Sequence, residues 1–143
     1  MKSAVITVIV LLFALGSYSQ PKKDGVSFNN SEWIYASTSV ENESYFFRNK
    51  YIEKKDNKIT IWLRVNLKMS LEVNKKMYFD AYKLLLVVFN CNNNQIKTLQ
   101  LIYYSHEGET LQSTNYTDDE FTYVVPNSVM ENVLSQICNK YNK

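Results

Sequence analysis

Few side chains in this 143-residue chain could carry out chemistry, because it contains one histidine and two cysteines. His106 is flanked by Glu107 and Glu109, an arrangement that could suggest an acid–base pair or part of a metal site. No second histidine exists, and neither cysteine lies at ligand spacing from His106. We therefore interpret His106 as an exposed turn residue and predict neither a metal site nor a cofactor.

The acidic run Asp118-Asp119-Glu120 could suggest cation binding, but it lacks the glycine and the alternating ligands of a calcium loop. A solvated loop is the favoured interpretation. The chain also lacks a nucleophile elbow and a glycine-rich phosphate loop. The sequence thus predicts a protein that is not an enzyme. A secreted inhibitor or a small extracytoplasmic enzyme remains the alternative.

Composition limits the class of protein further. With 45% hydrophobic and 21% charged residues, the chain is suited to fold, and its length allows one domain. Sixteen Lys and Arg against 14 Asp and Glu give a net charge of +2, which is too small for a nucleic-acid-binding surface. We predict no nucleic acid partner.

The N-terminal residues have the pattern of a secretory signal peptide. Met1 and Lys2 precede an uncharged apolar run over residues 4–15, and small residues follow up to a cut after Ser19. An uncleaved membrane anchor is the alternative, but a spanning helix needs about 20 apolar residues. A lipidated protein would need a cysteine at the cut, and the first cysteine is Cys91.

This pattern predicts a signal peptide at residues 1–19, a flexible lead-in at 20–30 and a single domain at 31–143. Richness in Asn, Lys and Ile favours a bacterial source. We expect a periplasmic or cell-surface protein that is not a lipoprotein and has no transmembrane segment after cleavage. In an oxidising compartment, two thiols are expected to pair, so we predict a disulfide between Cys91 and Cys138. Two free thiols in a reducing cytosol are the alternative.

Hydrophobic periodicity predicts the elements that hold these cysteines. Apolar and polar residues alternate over residues 58–69, which indicates a half-buried strand. The continuous apolar run at 82–89 predicts a central strand, or one covered on both sides, that ends just before Cys91. Ser128 and Glu131 form a capping box, and apolar residues then recur at helical spacing as far as Cys138. Shorter strands are predicted at residues 33–38, 44–48, 95–105, 110–114 and 121–125.

The fold class is therefore α+β, a small and mostly antiparallel sheet of about six strands with one C-terminal helix clamped to it by the disulfide. In order and spacing, the chain resembles the surface-adhesin protein E family of bacterial envelope proteins over about residues 31–140. The resemblance implies this same sheet, helix and disulfide, and for the founding adhesin it implies binding to host matrix and plasma proteins. The residues that carry it are Trp33, Tyr45-Phe46-Phe47, Tyr51-Ile52, Ile61-Trp62-Leu63-Arg64-Val65, Cys91, Leu101-Ile102-Tyr103-Tyr104, Gly108, Val125-Pro126-Asn127-Ser128 and Cys138.

Aromatic residues are the remaining candidates for a binding site. They make up 14% of the chain, which their preference for strands could explain on its own. Trp62 and Arg64 lie on the polar face of the longest predicted strand, so we name them as the candidate partner surface. The function predicted is that of a binding or structural module of the envelope with a protein partner. A homodimer formed through an edge strand is a further alternative.

Overall fold

The computed structural model describes residues 31–143, so the predicted signal peptide and lead-in lie outside the described residues. The described part of the chain forms ten strands and one helix. Their bounds are β1 (Trp33–Thr38), β2 (Ser44–Arg48), β3 (Glu53–Lys55), β4 (Lys58–Asn66), β5 (Leu71–Val73), β6 (Lys76–Tyr78), β7 (Tyr82–Asn90), β8 (Gln95–Tyr104), β9 (Thr110–Asn115), β10 (Thr122–Tyr123) and α1 (Val129–Tyr141).

Eight of these strands form one antiparallel sheet in the order β1-β2-β4-β7-β8-β10, in which β3 also pairs with β4 and β9 with β8. Strands β2 and β3 pair with different halves of β4 on the side away from β7. Strands β9 and β10 likewise share one side of β8. The sheet is therefore six strand positions wide, and the predicted α+β fold is confirmed.

The side chains of strand β4 alternate between the two faces of the sheet. Its alternate residues Ile59, Ile61, Leu63 and Val65 are fully buried, while the residues between them are half-buried. Full burial of each such side chain contributes about 1.5–3 kcal/mol, so the alternation fixes which face of β4 meets the core.

Strand β7 lies at the centre of the sheet, between β4 and β8. This is the central position that its continuous apolar run predicted as one of two possibilities. Val87 and Phe89 are fully buried on the core side, whereas Leu84, Leu86 and Val88 are half-buried. The one helix of residues 31–143 covers the core face, so no helix lies over the second face of β7.

The predicted strand at residues 58–69 extends too far. It ends at Asn66, opposite Tyr82 at the start of β7, and Met69 is 69% exposed. Beyond Asn66 the chain instead enters a separate two-stranded hairpin of β5 and β6, which the apolar pattern did not predict. Asn74 and Lys75 both have positive φ at its turn, and such a pair is hard to recognise without glycine.

Helix α1 covers the core face through Val133, Leu134 and Ile137. Its start matches the predicted capping box, because the Ser128 hydroxyl accepts a hydrogen bond from the Glu131 amide at 3.2 Å. The Glu131 carboxylate in turn accepts from the backbone amide of Asn127 at 2.7 Å, one residue before the cap.

Candidate functional site

Both cysteines of the chain form one disulfide. Cys91 follows the end of β7, Cys138 lies in α1, and the two sulfurs are 2.06 Å apart. The bond ties the helix to the core face of the sheet, as predicted. Because the sequence has only these two cysteines, no thiol is left as a nucleophile or a metal ligand.

His106 is exposed in the turn between β8 and β9. Ser105 holds this turn, since its carbonyl accepts from the Gly108 amide at 3.1 Å and its hydroxyl from the Glu109 amide at 3.2 Å. A hydrogen bond from its own backbone amide and another from Ser105 hold the pKa of Glu107 below its ordinary value. A carboxyl stabilised in its ionised form is poorly suited to act as a general acid.

A cleft of about 400 Å³ lies beside His106, lined also by Glu107, Glu109 and the β6 region. Two of its wall residues, Met77 and Phe79, are 47% and 70% exposed, so the cleft is shallow. Within residues 31–143, no group of three His, Cys, Asp or Glu side chains is placed to hold a metal ion. The cleft therefore gives no support to catalysis at His106.

The acidic run has local structural contacts. The Asp119 carboxylate pairs with the Lys97 ammonium at 2.6 Å, and Asp118 accepts from the Glu120 backbone amide at 3.1 Å. The Lys97 hydrogen bond and charge lower the pKa of Asp119. These contacts pin an exposed loop against β8.

Trp62 and Arg64 lie on the sheet face opposite α1. On β4 they alternate with the buried residues that contact the helix, and they pair with Leu86 and Leu84 of β7. We call this surface the open face, because α1 covers the other side of the sheet. At one end of the open face, the Phe121 ring centroid lies 5.4 Å from the Lys58 ammonium and 5.3 Å from the Lys97 ammonium. Strand pairing places these side chains on the open face: Trp33, Tyr35, Phe46, Arg48, Trp62, Arg64, Tyr82, Leu84, Leu86, Ile102 and Tyr104.

Arg64 belongs to a stack on the open face, near the end of β4 and the start of β7. Its guanidinium carbon lies 3.8 Å from the ring centroid of Tyr82, and the Tyr82 ring stacks on Tyr104 at 5.1 Å with an interplanar angle of 10°. Its Nε donates to the Asn66 side-chain oxygen at 2.8 Å. Burial lowers the pKa of Arg64. The ordinary pKa of arginine is so far above neutral pH that the guanidinium stays charged. The stack holds a charged planar group on an apolar surface.

A similar arrangement lies at the β1 side of the open face. The Arg48 guanidinium carbon is 4.9 Å from the Tyr51 ring centroid and 6.0 Å from that of Trp33. Arg48 also pairs with the Glu32 carboxylate at 3.2 Å. Tyr51 is 80% exposed and has a positive φ of 57°, so its ring projects from a constrained turn.

The sequence pattern placed Trp62 and Arg64 together on one face of their strand but did not indicate their neighbours on the adjacent strands. Tyr82, Tyr104 and Phe46 reach the open face only through the register of β2, β4, β7 and β8. The apolar run at β7 was the one sequence feature that indicated an apolar second face, because alternate residues of a strand point to opposite sides of the sheet.

Comparison with known proteins agrees with this architecture. The chain belongs to the surface-adhesin protein E family, whose sequence profile matches residues 33–139. No curated protein matches the chain in sequence.

Among solved structures, crystal form II of Haemophilus influenzae protein E is similar with a TM-score of 0.59 and 17% identity, covering 79% of this chain and 91% of that one. A second structure of Haemophilus influenzae protein E has a TM-score of 0.56 and 18% identity, covering 78% and 86%. At this identity, the likeness shows the shared fold. Among residues 31–143, no helix has the length and hydrophobicity of a membrane span.

Proposed function

We propose that this protein is an exported, non-enzymatic binding module of the bacterial envelope that holds a protein partner on the open face of its sheet. The observation that carries the proposal is the open face itself, where aromatic, aliphatic and guanidinium groups share one surface. Trp62 lies at the middle of β4, Arg64 lies two residues further along the strand, and both are half-buried.

The dimensions of the open face suit a protein interface. Six strand positions are separated by five spacings of about 4.8 Å, and the longest strands are about 30 Å long, so the face measures at most roughly 700 Å². A standard-size interface buries about 800 Å² on each partner. Trp, Tyr and Arg are also the side chains that most often dominate binding energy at such interfaces.

The chemistry of the described residues supports binding over catalysis. The disulfide uses both thiols, and His106 lies exposed in a turn. Membership in a family named for a surface adhesin supports export, display at the cell surface and attachment to a protein.

The proposal is tested by measuring saturable binding of the purified protein to immobilised matrix proteins and envelope proteins. Trp62→Ser and Arg64→Ser should each weaken the binding at least tenfold, because they remove central contacts while leaving the core face intact. Val40→Ser is the matched control, since Val40 is a fully exposed apolar residue outside the open face. The absence of saturable binding, or equal binding by all variants, would contradict the proposal.

A further inference from the structure

Strand β9 forms an edge of the sheet whose outer side is open. It pairs with β8 on its inner side, and no strand within residues 31–143 pairs with it on the other. Gln112 and Ser113 are exposed in the middle of the strand. Such an edge offers a row of backbone donors and acceptors to another strand.

The opposite edge of the sheet is less suited to pairing. Both edge strands contain a register shift, between Tyr35 and Ser37 in β1 and at Leu111 in β9. In β1 the carbonyl of Ala36 at the shift already accepts a hydrogen bond from the Gln136 side chain of α1 at 2.7 Å, whereas Ser113 and Asn115 of β9 lie beyond its shift. Strand addition is therefore favoured at β9 over β1.

The hydrogen-bond pattern shows which groups of β9 point outward. The Tyr116 amide donates to the Leu99 carbonyl at 2.9 Å, so this pair of residues is hydrogen-bonded across the strands. In an antiparallel ladder, hydrogen-bonded and non-hydrogen-bonded pairs alternate. The N–H and C=O groups of Ser113 and Asn115 therefore point away from β8, toward the free side.

Charge indicates what kind of strand would fit. Strand β9 has no charged side chain along its six residues, about 20 Å of chain. Glu107 and Glu109 precede it, and Asp118 and Glu120 follow it. Antiparallel pairing with a second copy would bring the acidic ends together, which disfavours self-association. A neutral strand with basic residues at both ends would complement the acidic residues that precede and follow β9.

We propose that the outer edge of β9 accepts an extended segment of a protein partner as an added strand, and that this segment carries basic residues at both ends. Main-chain hydrogen bonds would supply affinity, and the flanking carboxylates would set the preferred sequence. The inference rests on the proposed protein-binding function but assigns a second surface, separate from the open face.

The test is a fluorescence titration of the purified protein with the synthetic peptide Lys-Lys-Thr-Val-Thr-Val-Thr-Lys-Lys. Ser113→Pro removes an outward N–H and should weaken binding at least tenfold, since an edge strand tolerates proline at such a position. Ser113→Val retains the N–H and should bind within twofold of the original protein. Replacing the four lysines of the peptide with glutamates should weaken binding at least fivefold.

The unfolding midpoint of each variant shows whether it is folded. Should Ser113→Pro not fold, Asn115→Pro removes the next outward N–H, and the comparison of the two peptides on the unmodified protein still stands. Equal binding by the Pro and Val variants, or no preference for the basic peptide, overturns the inference. Self-association that Ser113→Pro abolishes also overturns it and assigns the edge to a second copy.

Failure of the edge inference is distinguishable from failure of the proposed function. Partner binding that needs Trp62 but is unchanged in Ser113→Pro leaves the open face supported and removes the role of β9. Peptide binding at β9 without any saturable protein binding at Trp62 gives the reverse result.

Discussion

The guanidinium carbon of Arg64 lies 3.8 Å from the ring centroid of Tyr82, a contact that joins the C-terminal part of β4 to the first residue of β7 on the open face. The two residues are on neighbouring strands, and Tyr104 of β8 continues the stack. A charge is thus fixed in place on a surface that is otherwise mostly apolar. Preorganised groups of this kind lose little conformational entropy when a partner binds.

The stack should contribute to stability. In a double-mutant cycle of Arg64→Ala and Tyr82→Leu, we expect a coupling free energy of about 1 kcal/mol, measured by urea unfolding. The control cycle uses the exposed Lys140 and the half-buried Tyr141 of α1, in which the ammonium lies 5.7 Å from the ring centroid. Coupling in the control as large as in the Arg64 cycle would contradict this view of the stack.

Removal of the disulfide should destabilise the protein strongly. Its cysteines are 47 positions apart, and closing a loop of that length stabilises a fold by about 4 kcal/mol in the chain-entropy description. We expect a loss of this order in the double variant Cys91→Ala and Cys138→Ala, measured by guanidinium unfolding. A loss below about 1 kcal/mol would show that the helix packs without the clamp.

Acid should remove one surface contribution to stability. Hydrogen bonds from Lys50 and Arg48 lower the pKa of Glu32 from its ordinary value of 4.5. A carboxylate with a lowered folded-state pKa stabilises above the unfolded value, and this contribution is lost as the pH falls through the folded value. Glu32→Gln should therefore lower the unfolding midpoint at pH 7, with the difference vanishing in strong acid.

The exposed residue Glu41 provides the control for that titration. Glu41→Gln should leave the midpoint nearly unchanged at pH 7, because no ion pair of the described residues includes Glu41. A Glu32→Gln difference that persists at pH 2 would have a cause other than ionisation.

The N-cap of α1 offers a test of the capping box. Ser128→Ala removes the acceptor for the Glu131 amide and should cost about 1 kcal/mol of unfolding free energy. Ser135→Ala, at an exposed position inside the same helix, should change it by less than about 0.5 kcal/mol. Similar losses in the two variants would argue against a specific capping role.

The sequence predicted the features that local patterns encode. Alternation in β4 and the apolar stripe of α1 each follow from burial on one side of an element, so both predictions are confirmed. The disulfide followed from the expected compartment and the number of cysteines, and it too is confirmed.

Features that depend on register between distant segments were not predictable. The contact of Arg64 with Tyr82 requires that Asn66 pair with Tyr82, and neither strand alone specifies that pairing. A register shift between Leu86 and Val87, opposite Thr98 and Gln100, also left Leu99 without a direct partner on β7. Such a bulge changes which face a residue occupies, and the apolar pattern alone does not reveal it.

Site-specific photocrosslinking in living cells tests the central claim most directly. A benzoylphenylalanine at position 62 should give a discrete crosslinked protein species, and excess unlabelled protein should compete it away. The same probe at position 125, an exposed apolar position outside the strands and helix, should not give that species. Absence of a crosslink at position 62, or the same product from both positions, would contradict binding through the open face.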